Sequence, residues 1–197
     1  MEKKIYLDLE TVGVNQFKAN ILEMSVLFVE NRKIVDEISN NVYYPKKWIN
    51  TNKQEKIDLG WHNIKSQEDI DKHNETALNF KDLIDVVLVK VKRFGKLGIS
   101  GWNNAGFDNL ILQRHLVSLG IDINEHFDYH TRDIMSRMQL FYEFNLVAGL
   151  NLKKCHMDLI ETIPAENFHK SYWDCIATKD LDEWIEDNRY KLGGGRK

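Results

Sequence analysis

The stretch IYLDLET, residues 5–11, decides how the rest of the chain is read. Aliphatic and acidic side chains alternate through it, the period-two pattern of a strand with one buried face. Residues 4–10 are therefore a predicted strand, with Asp8 and Glu10 on one face and Leu7 and Leu9 turned into the core. A carboxylate at the edge of an apolar element is costly unless it is solvated, paired or bound to a metal. Taken alone, the Asp8/Glu10 pair also suits an ordinary solvated strand end.

Working outward, residues 21–30 and 34–44 are two further strand patterns, joined by a turn at Asn31, Arg32 and Lys33, and Pro45 ends the third. Two helical patterns follow over 66–94, the second with Phe80, Leu83, Ile84, Val87 and Val91 at helical spacing. A short buried strand at 97–101 leads to a helix over about 109–119 that stops at Gly120. A fifth strand at 127–130 and helices at 131–147, 151–161 and 171–187 complete the reading. A three-strand meander followed by strand–helix–strand crossovers predicts an α/β fold: a mixed five-stranded sheet with helices on both faces, compatible with a ribonuclease-H-like architecture.

At 197 residues, with 43% hydrophobic content and only 2 Pro, the chain suits one folded domain, expected over 1–190, with a flexible tail at 191–197. No run of about 18 apolar residues is present, so no membrane span or membrane partner is expected. The start, MEKKIYLDLE, lacks the apolar core of a signal peptide, and Cys155 and Cys175 are too few for a disulfide framework. A reducing, cytoplasmic setting is the expectation. The net charge of −3 lacks the basic footprint of a nucleic-acid protein. Two bound divalent ions would carry the total from −3 to +1, so charge does not decide the matter.

Three further positions carry chemistry. Asp108 ends GWNNAGFD directly after the fourth strand, where it also suits helix capping. His169 and Asp174 lie five apart in FHKSYWD, where a loop enters the last helix. Hydrolysis of a phosphodiester needs a hydroxide nucleophile, neutralised phosphoryl charge and a stabilised leaving oxygen, which two cations about 3.5–4 Å apart supply together. Hard oxygen ligands point to Mg²⁺ or Mn²⁺, two ions per site, and a histidine of unperturbed pKa about 6.5 suits the proton transfer.

These residues resemble the DnaQ-like, DEDDh family of 3′–5′ exonucleases in the ribonuclease-H-like superfamily, over roughly residues 4–187. LDLET is similar to the first exonuclease motif, Asn104-Ala105-Gly106-Phe107-Asp108 to the second and His169-x-x-x-x-Asp174 to the third. The sister branch places a tyrosine where Lys170 stands, so the histidine branch is the better match. Trp61-His62-Asn63-Ile64 with Gln67, and Arg132-Asp133-Ile134, resemble the bacteriophage exonuclease A group. The resemblance implies that Asp8 bridges both metals. Glu10 and Asp174 complete the water-activating site, Asp108 holds the second ion and His169 is the general base. It also implies that the backbone around Glu10 and Thr11 meets the terminal nucleotide, with Asn104 in the second motif and Phe107, Trp61 and His62 against end bases. Core packing is the competing reading of Trp61 and Phe107. Phe168 departs from the small residue common before the histidine, a bulk that tightens the loop.

The implied activity is release of nucleoside monophosphates from the 3′ end of single-stranded DNA, with any polymerase or repair partner unspecified. Open alternatives are a 3′–5′ exoribonuclease or short-oligonucleotide trimmer, a non-catalytic nucleic-acid-binding accessory subunit, and a two-carboxylate glycosidase that needs no metal. A zinc site at Cys155-His156 lacks a second Cys/His pair, and Gln139-Leu140-Phe141 falls inside a helical core pattern.

Overall fold

The alternation along the first strand carries through to a sheet with two covered faces in the computed structural model, which describes residues 2–193. The strands are β1 (Lys3–Val12), β2 (Asn20–Glu30), β3 (Lys33–Asn41), β4 (Gly98–Gly101) and β5 (Asp128–Asp133). They lie in the order β3-β2-β1-β4-β5, antiparallel through β3-β2-β1 and parallel from β1 to β4 and β5. This is the mixed five-stranded α/β sheet expected from the pattern. The β2–β3 hairpin turns on Asn31 and Arg32, both left-handed at φ 48° and 68°, which matches the strand twist.

The helices are α1 (Lys53–Trp61), α2 (Gln67–Thr76), α3 (Phe80–Phe94), α4 (Asp108–Ser118), α5 (Ile123–His126), α6 (Ile134–Glu143), α7 (Leu152–Leu159), α8 (Ser171–Asn188) and α9 (Tyr190–Gly193). On one face of the sheet, Ile5, Leu7 and Leu9 pack with Leu83, Ile84 and Val87 of α3 and Ile111 and Leu112 of α4. On the other, Tyr6 packs with Leu27, Val29 and Cys175 of α8. The two residue sets of β1 thus serve opposite layers, and the face beneath α8 is the one that also carries Asp8 and Glu10.

Several boundaries differ from the sequence reading. The helix α1 was not expected, because Leu59 is its only buried residue and no apolar stripe marks it. A capping box between Asn52 and Glu55 starts it instead. Residues 131–133, expected in a helix, continue β5, and Asp133 then caps α6 by accepting the Ser136 N–H at 3.0 Å. That helix stops at Glu143 rather than 147, and Asn145 at φ 55° turns the chain away. Tyr190–Gly193 form a short helical turn with Leu192 against the α6–α8 cluster, and the remainder of the expected 191–197 tail lies outside the described residues. Among the described residues no helix is long and apolar enough to cross a membrane.

Candidate active site

β1 delivers Asp8 and Glu10 side by side, and α8 lays Asp174 against them. One carboxylate oxygen from each of the three lies within 4.8 Å of the others. Asp174 is buried, and its Oδ1 has no hydrogen-bond partner. An unpaired buried carboxylate oxygen is expensive, and a hard cation satisfies it directly. The residues therefore suit a divalent metal.

Asp108 joins from the other layer, and not as the helix cap its position suggested. Phe107 occupies the cap, Asp108 is the first helical residue, and its Oδ1 accepts the Leu9 backbone N–H at 3.1 Å. The physical reason is the shortness of β4. Its pairing with β1 ends at Tyr6 and Ser100, which leaves Leu9 N–H facing that side without a strand partner. The turn into α4 is tight: a Cβ on Gly101 would stand 2.9 Å from the Leu7 carbonyl and 2.6 Å from Asn104 Cβ. Asp108 thereby stands beside Asp8 but outside the three-carboxylate cluster.

Electrostatics report the same crowding. Burial, then the charges of Asp108, Asp174 and Glu10, push Asp8 well above the carboxylate range. Burial, then Asp174 and Glu23, raise Glu10 to about 8. Burial raises Asp108 to about 7 against the opposing Leu9 N–H, and raises Asp174 to about 7 against the His169 backbone N–H. Without a counter-cation, burial and mutual repulsion favour the protonated forms of these groups.

Glu23 is a fifth acid that the sequence reading did not single out. It stands directly across from Glu10 in the β1–β2 ladder, just before a bulge at which Leu22 enters as an extra residue. Burial raises its pKa, and the hydroxyl and backbone N–H of Ser171 beside it pull the other way. The only sequence signal was one acid inside the apolar run of residues 21–30.

His169 is exposed and adopts φ 64°, a left-handed conformation that costs a non-glycine residue about 1–2 kcal/mol. Its loop is anchored by Phe168, which is buried beside Ile163 and Ala177, lies edge-on to His156 at 5.7 Å and carries Lys153 Nζ over its ring at 5.8 Å. The His169 ring faces outward, 6.3 Å from the ring of Trp61.

Two clefts flank His169, Trp61 and His62. One of about 300 Å³ is lined by Glu10, Thr11, Val14 and Phe107 as well, and one of about 480 Å³ by Glu23, Asn41, His73 and Lys170. Trp61 is 70% exposed, so core packing is not its role. Phe107 packs on the α3–α4 core and also lines the smaller cleft. His62, pushed down to about 4 by burial and by His169, is neutral at pH 7, and its Nε2 lies 3.7 Å from Glu10. Asp58 of α1 accepts the Gly13 N–H at 2.9 Å and ties the loop after β1 to the helix carrying Trp61. Asn104 differs from expectation. It is fully buried and donates to the Ile99 carbonyl at 3.1 Å, so it braces the β4–α4 turn and cannot touch a substrate. The Cys155 thiol donates to the Gly149 carbonyl, away from any metal-binding cluster among the described residues.

A scan of protein-family models and a search of curated proteins return no match to this chain. Solved structures do match. E. coli Exonuclease I in complex with a dT13 oligonucleotide superposes with a TM-score of 0.79 at 12% identity, covering 98% of this chain and 42% of that one. Exonuclease I from Methylocaldum szegediense gives 0.75 at 14% identity, covering 96% and 41%. The zinc-bound form of the E. coli Exonuclease I–ssDNA complex gives 0.76 at 12% identity, covering 98% and 42%. At such identities the likeness establishes the fold. The chain has the ribonuclease-H-like α/β fold of these exonucleases and spans less than half of their length.

Proposed function

We propose that this chain is a metal-dependent 3′–5′ exonuclease that releases nucleoside monophosphates from single-stranded DNA ends. The observation that carries the reading is the convergence of Asp8, Glu10 and Asp174 within 4.8 Å, with Asp174 Oδ1 unpartnered. The fold adds support, since Exonuclease I of the same fold holds oligonucleotides such as dT13 and dA16.

In this reading Asp8, Glu10 and Asp174 would hold one divalent ion, and Asp108 would help to hold a second. Two Mg²⁺ or Mn²⁺ ions would supply a hydroxide nucleophile at neutral pH and offset charge on the attacking and leaving oxygens. The chain does the rest. His169, exposed at the cleft rim, accepts the proton of the attacking water at its imidazole. The smaller cleft takes the terminal nucleoside, with Thr11 in its lining and Phe107 and Trp61 against the base. Neutral His62 adds no charge beside Glu10 and leaves that carboxylate free for the cation.

The test is an end-labelled oligonucleotide assay with and without EDTA, run on DNA and RNA with either terminus blocked. Stepwise shortening of DNA from a free 3′ end, abolished by EDTA, is expected. Preferred digestion of RNA moves the reading to an exoribonuclease. Complete absence of hydrolysis with Mn²⁺ moves it to a non-catalytic binding subunit, and activity that survives EDTA moves it to metal-free acid/base chemistry.

A further inference from the structure

Two turns along α8 from Asp174, on the side facing the sheet, a second carboxylate is completely buried. Asp182 Oδ2 accepts from Lys4 Nζ at 2.9 Å and from the Tyr6 hydroxyl at 2.8 Å. Its Oδ1 pairs with Arg137 of α6, and Arg132 of β5 stands 3.9 Å away. Arg132 and Arg137 also share Glu186 at 3.0 and 2.7 Å. None of these side chains lines the catalytic clefts.

The spacing gives the cluster a meaning. Asp174 to Asp182 is eight helical residues, a rise of about 12 Å. Lys4 and Tyr6 to Asp8 and Glu10 is four strand residues, about 13 Å. Helix and strand therefore run side by side over the same length, with a polar tie at one end and the metal-ligand carboxylates at the other. Between the two ends the contact is Tyr6, Leu27, Val29, Cys175 and Ile176, mostly apolar packing that does not fix axial position by direction, with one long bond from the Cys175 thiol to the Ser25 carbonyl of β2 at 3.5 Å. At its N-terminal end α8 is tied to β2, through Ser171 and Ser25 at 2.6 Å. Asp182 is its hydrogen-bonded tie to β1 itself.

A buried ion cluster is a poor way to gain stability, since well-packed apolar residues often do as well or better. What it adds is direction. We propose that Asp182 is a positioning residue for the active site: held by Lys4, Tyr6 and Arg137, it fixes the register of α8 on β1 so that Asp174 meets Asp8 and Glu10 at metal-binding distance. This rests on the metal-site reading above. It assigns to the far end of the helix the alignment that the cluster needs.

The experiment compares Asp182→Asn and Tyr6→Phe with Val87→Ala, a core change on the opposite face of the sheet. Folded fraction is checked by circular dichroism, and Mn²⁺ affinity of the full chain is measured by electron paramagnetic resonance titration. Turnover is then measured in Mg²⁺ and in Mn²⁺. Mg²⁺ demands near-ideal octahedral geometry, so displaced ligands penalise it most. Asp182→Asn is expected to weaken Mn²⁺ binding about 10-fold, as for partners behind metal ligands, and to lower the Mg²⁺:Mn²⁺ turnover ratio. Tyr6→Phe should move both in the same direction by less, and it carries the test if Asp182→Asn does not fold. Val87→Ala should lower stability and leave both readouts unchanged. Wild-type Mn²⁺ affinity and ratio in the folded variants overturns the proposal while leaving the metal site standing. A wild-type chain that binds no Mn²⁺ overturns the metal reading and this proposal with it.

Discussion

The Asp108 carboxylate accepts the Leu9 backbone N–H at 3.1 Å, so a side chain from the start of α4 continues the ladder that β4 leaves unfinished. Leu9 lies between Asp8 and Glu10, and the bond fixes the backbone from which both project. Asp108 thus has two separable properties, an acceptor for Leu9 and a negative charge for a cation. Asp108→Asn keeps an acceptor of the same shape and loses the charge. Asp108→Ala loses both and leaves a buried N–H unpaired, at about 1–3 kcal/mol. We expect both variants to be inactive, and Asp108→Asn to be the more stable by roughly that amount in urea unfolding of the metal-free protein. Equal stabilities would mean that the Leu9 bond contributes nothing.

Metal-free protein should lose stability as pH rises. The folded-state pKa values of Glu10, Asp108 and Asp174 are raised to about 8, 7 and 7 from 4.5, 3.8 and 3.8. A raised folded-state value favours the fold below the unfolded pKa, and that contribution is lost as pH climbs through the folded one. In EDTA, the melting temperature at pH 8 should therefore fall below that at pH 5. Each kcal/mol corresponds to about 2–4 °C for a chain of this size. Saturating Mn²⁺ should restore most of the loss at pH 8 and little at pH 5, where protons compete. A melting temperature that is flat between pH 5 and 8 in EDTA would show that burial and mutual repulsion do not raise these carboxyls.

His169 separates geometry from chemistry. Its side chain is exposed, while its backbone N–H pulls the Asp174 carboxyl down against the effect of burial. Its φ of 64° favours glycine. His169→Ala should keep metal affinity and reduce kcat by about 10²–10⁴-fold, the range for a lost general base. His169→Gly should be equally slow yet more stable than His169→Ala by about 1 kcal/mol, through relief of left-handed strain. Calorimetric titration and thermal melts check the two halves independently. Near-normal turnover in either variant removes His169 from the proton transfer.

Most of the sheet was legible because its signals are local. Alternation along residues 4–10 and 21–30, the Asn31-Arg32 turn and the stripe of Leu83, Ile84, Val87 and Val91 each lie within one segment. The five candidate residues stood out as types and spacings, and of these the fold brings Asp8, Glu10 and Asp174 together. What stayed hidden depends on pairing between segments. Glu23 gains its place opposite Glu10 only through the β1–β2 register and its bulge. Asn104 looked like a contact residue because nothing in its own segment reveals that the Ile99 carbonyl needs its amide. The helix α1 lacks an apolar stripe, since it packs through Leu59 alone and offers its end to the cleft.

That open end makes Trp61 the sharpest probe of substrate contact. The indole is 70% exposed at the rim shared by both clefts and supports no core, so its removal should leave folding unchanged. Stacking of one base on an aromatic ring is worth about 1–3 kcal/mol, or about 5–150-fold in affinity. Trp61→Ala should raise KM for oligonucleotides within that range and leave kcat at saturation nearly intact, whereas Trp61→Phe should recover most of the loss. The contrast with His169→Ala is the useful part: one variant acts on binding, the other on turnover. If Trp61→Ala lowers kcat and spares KM, the indole aligns the His169 imidazole, 6.3 Å from it, and does not stack on the strand.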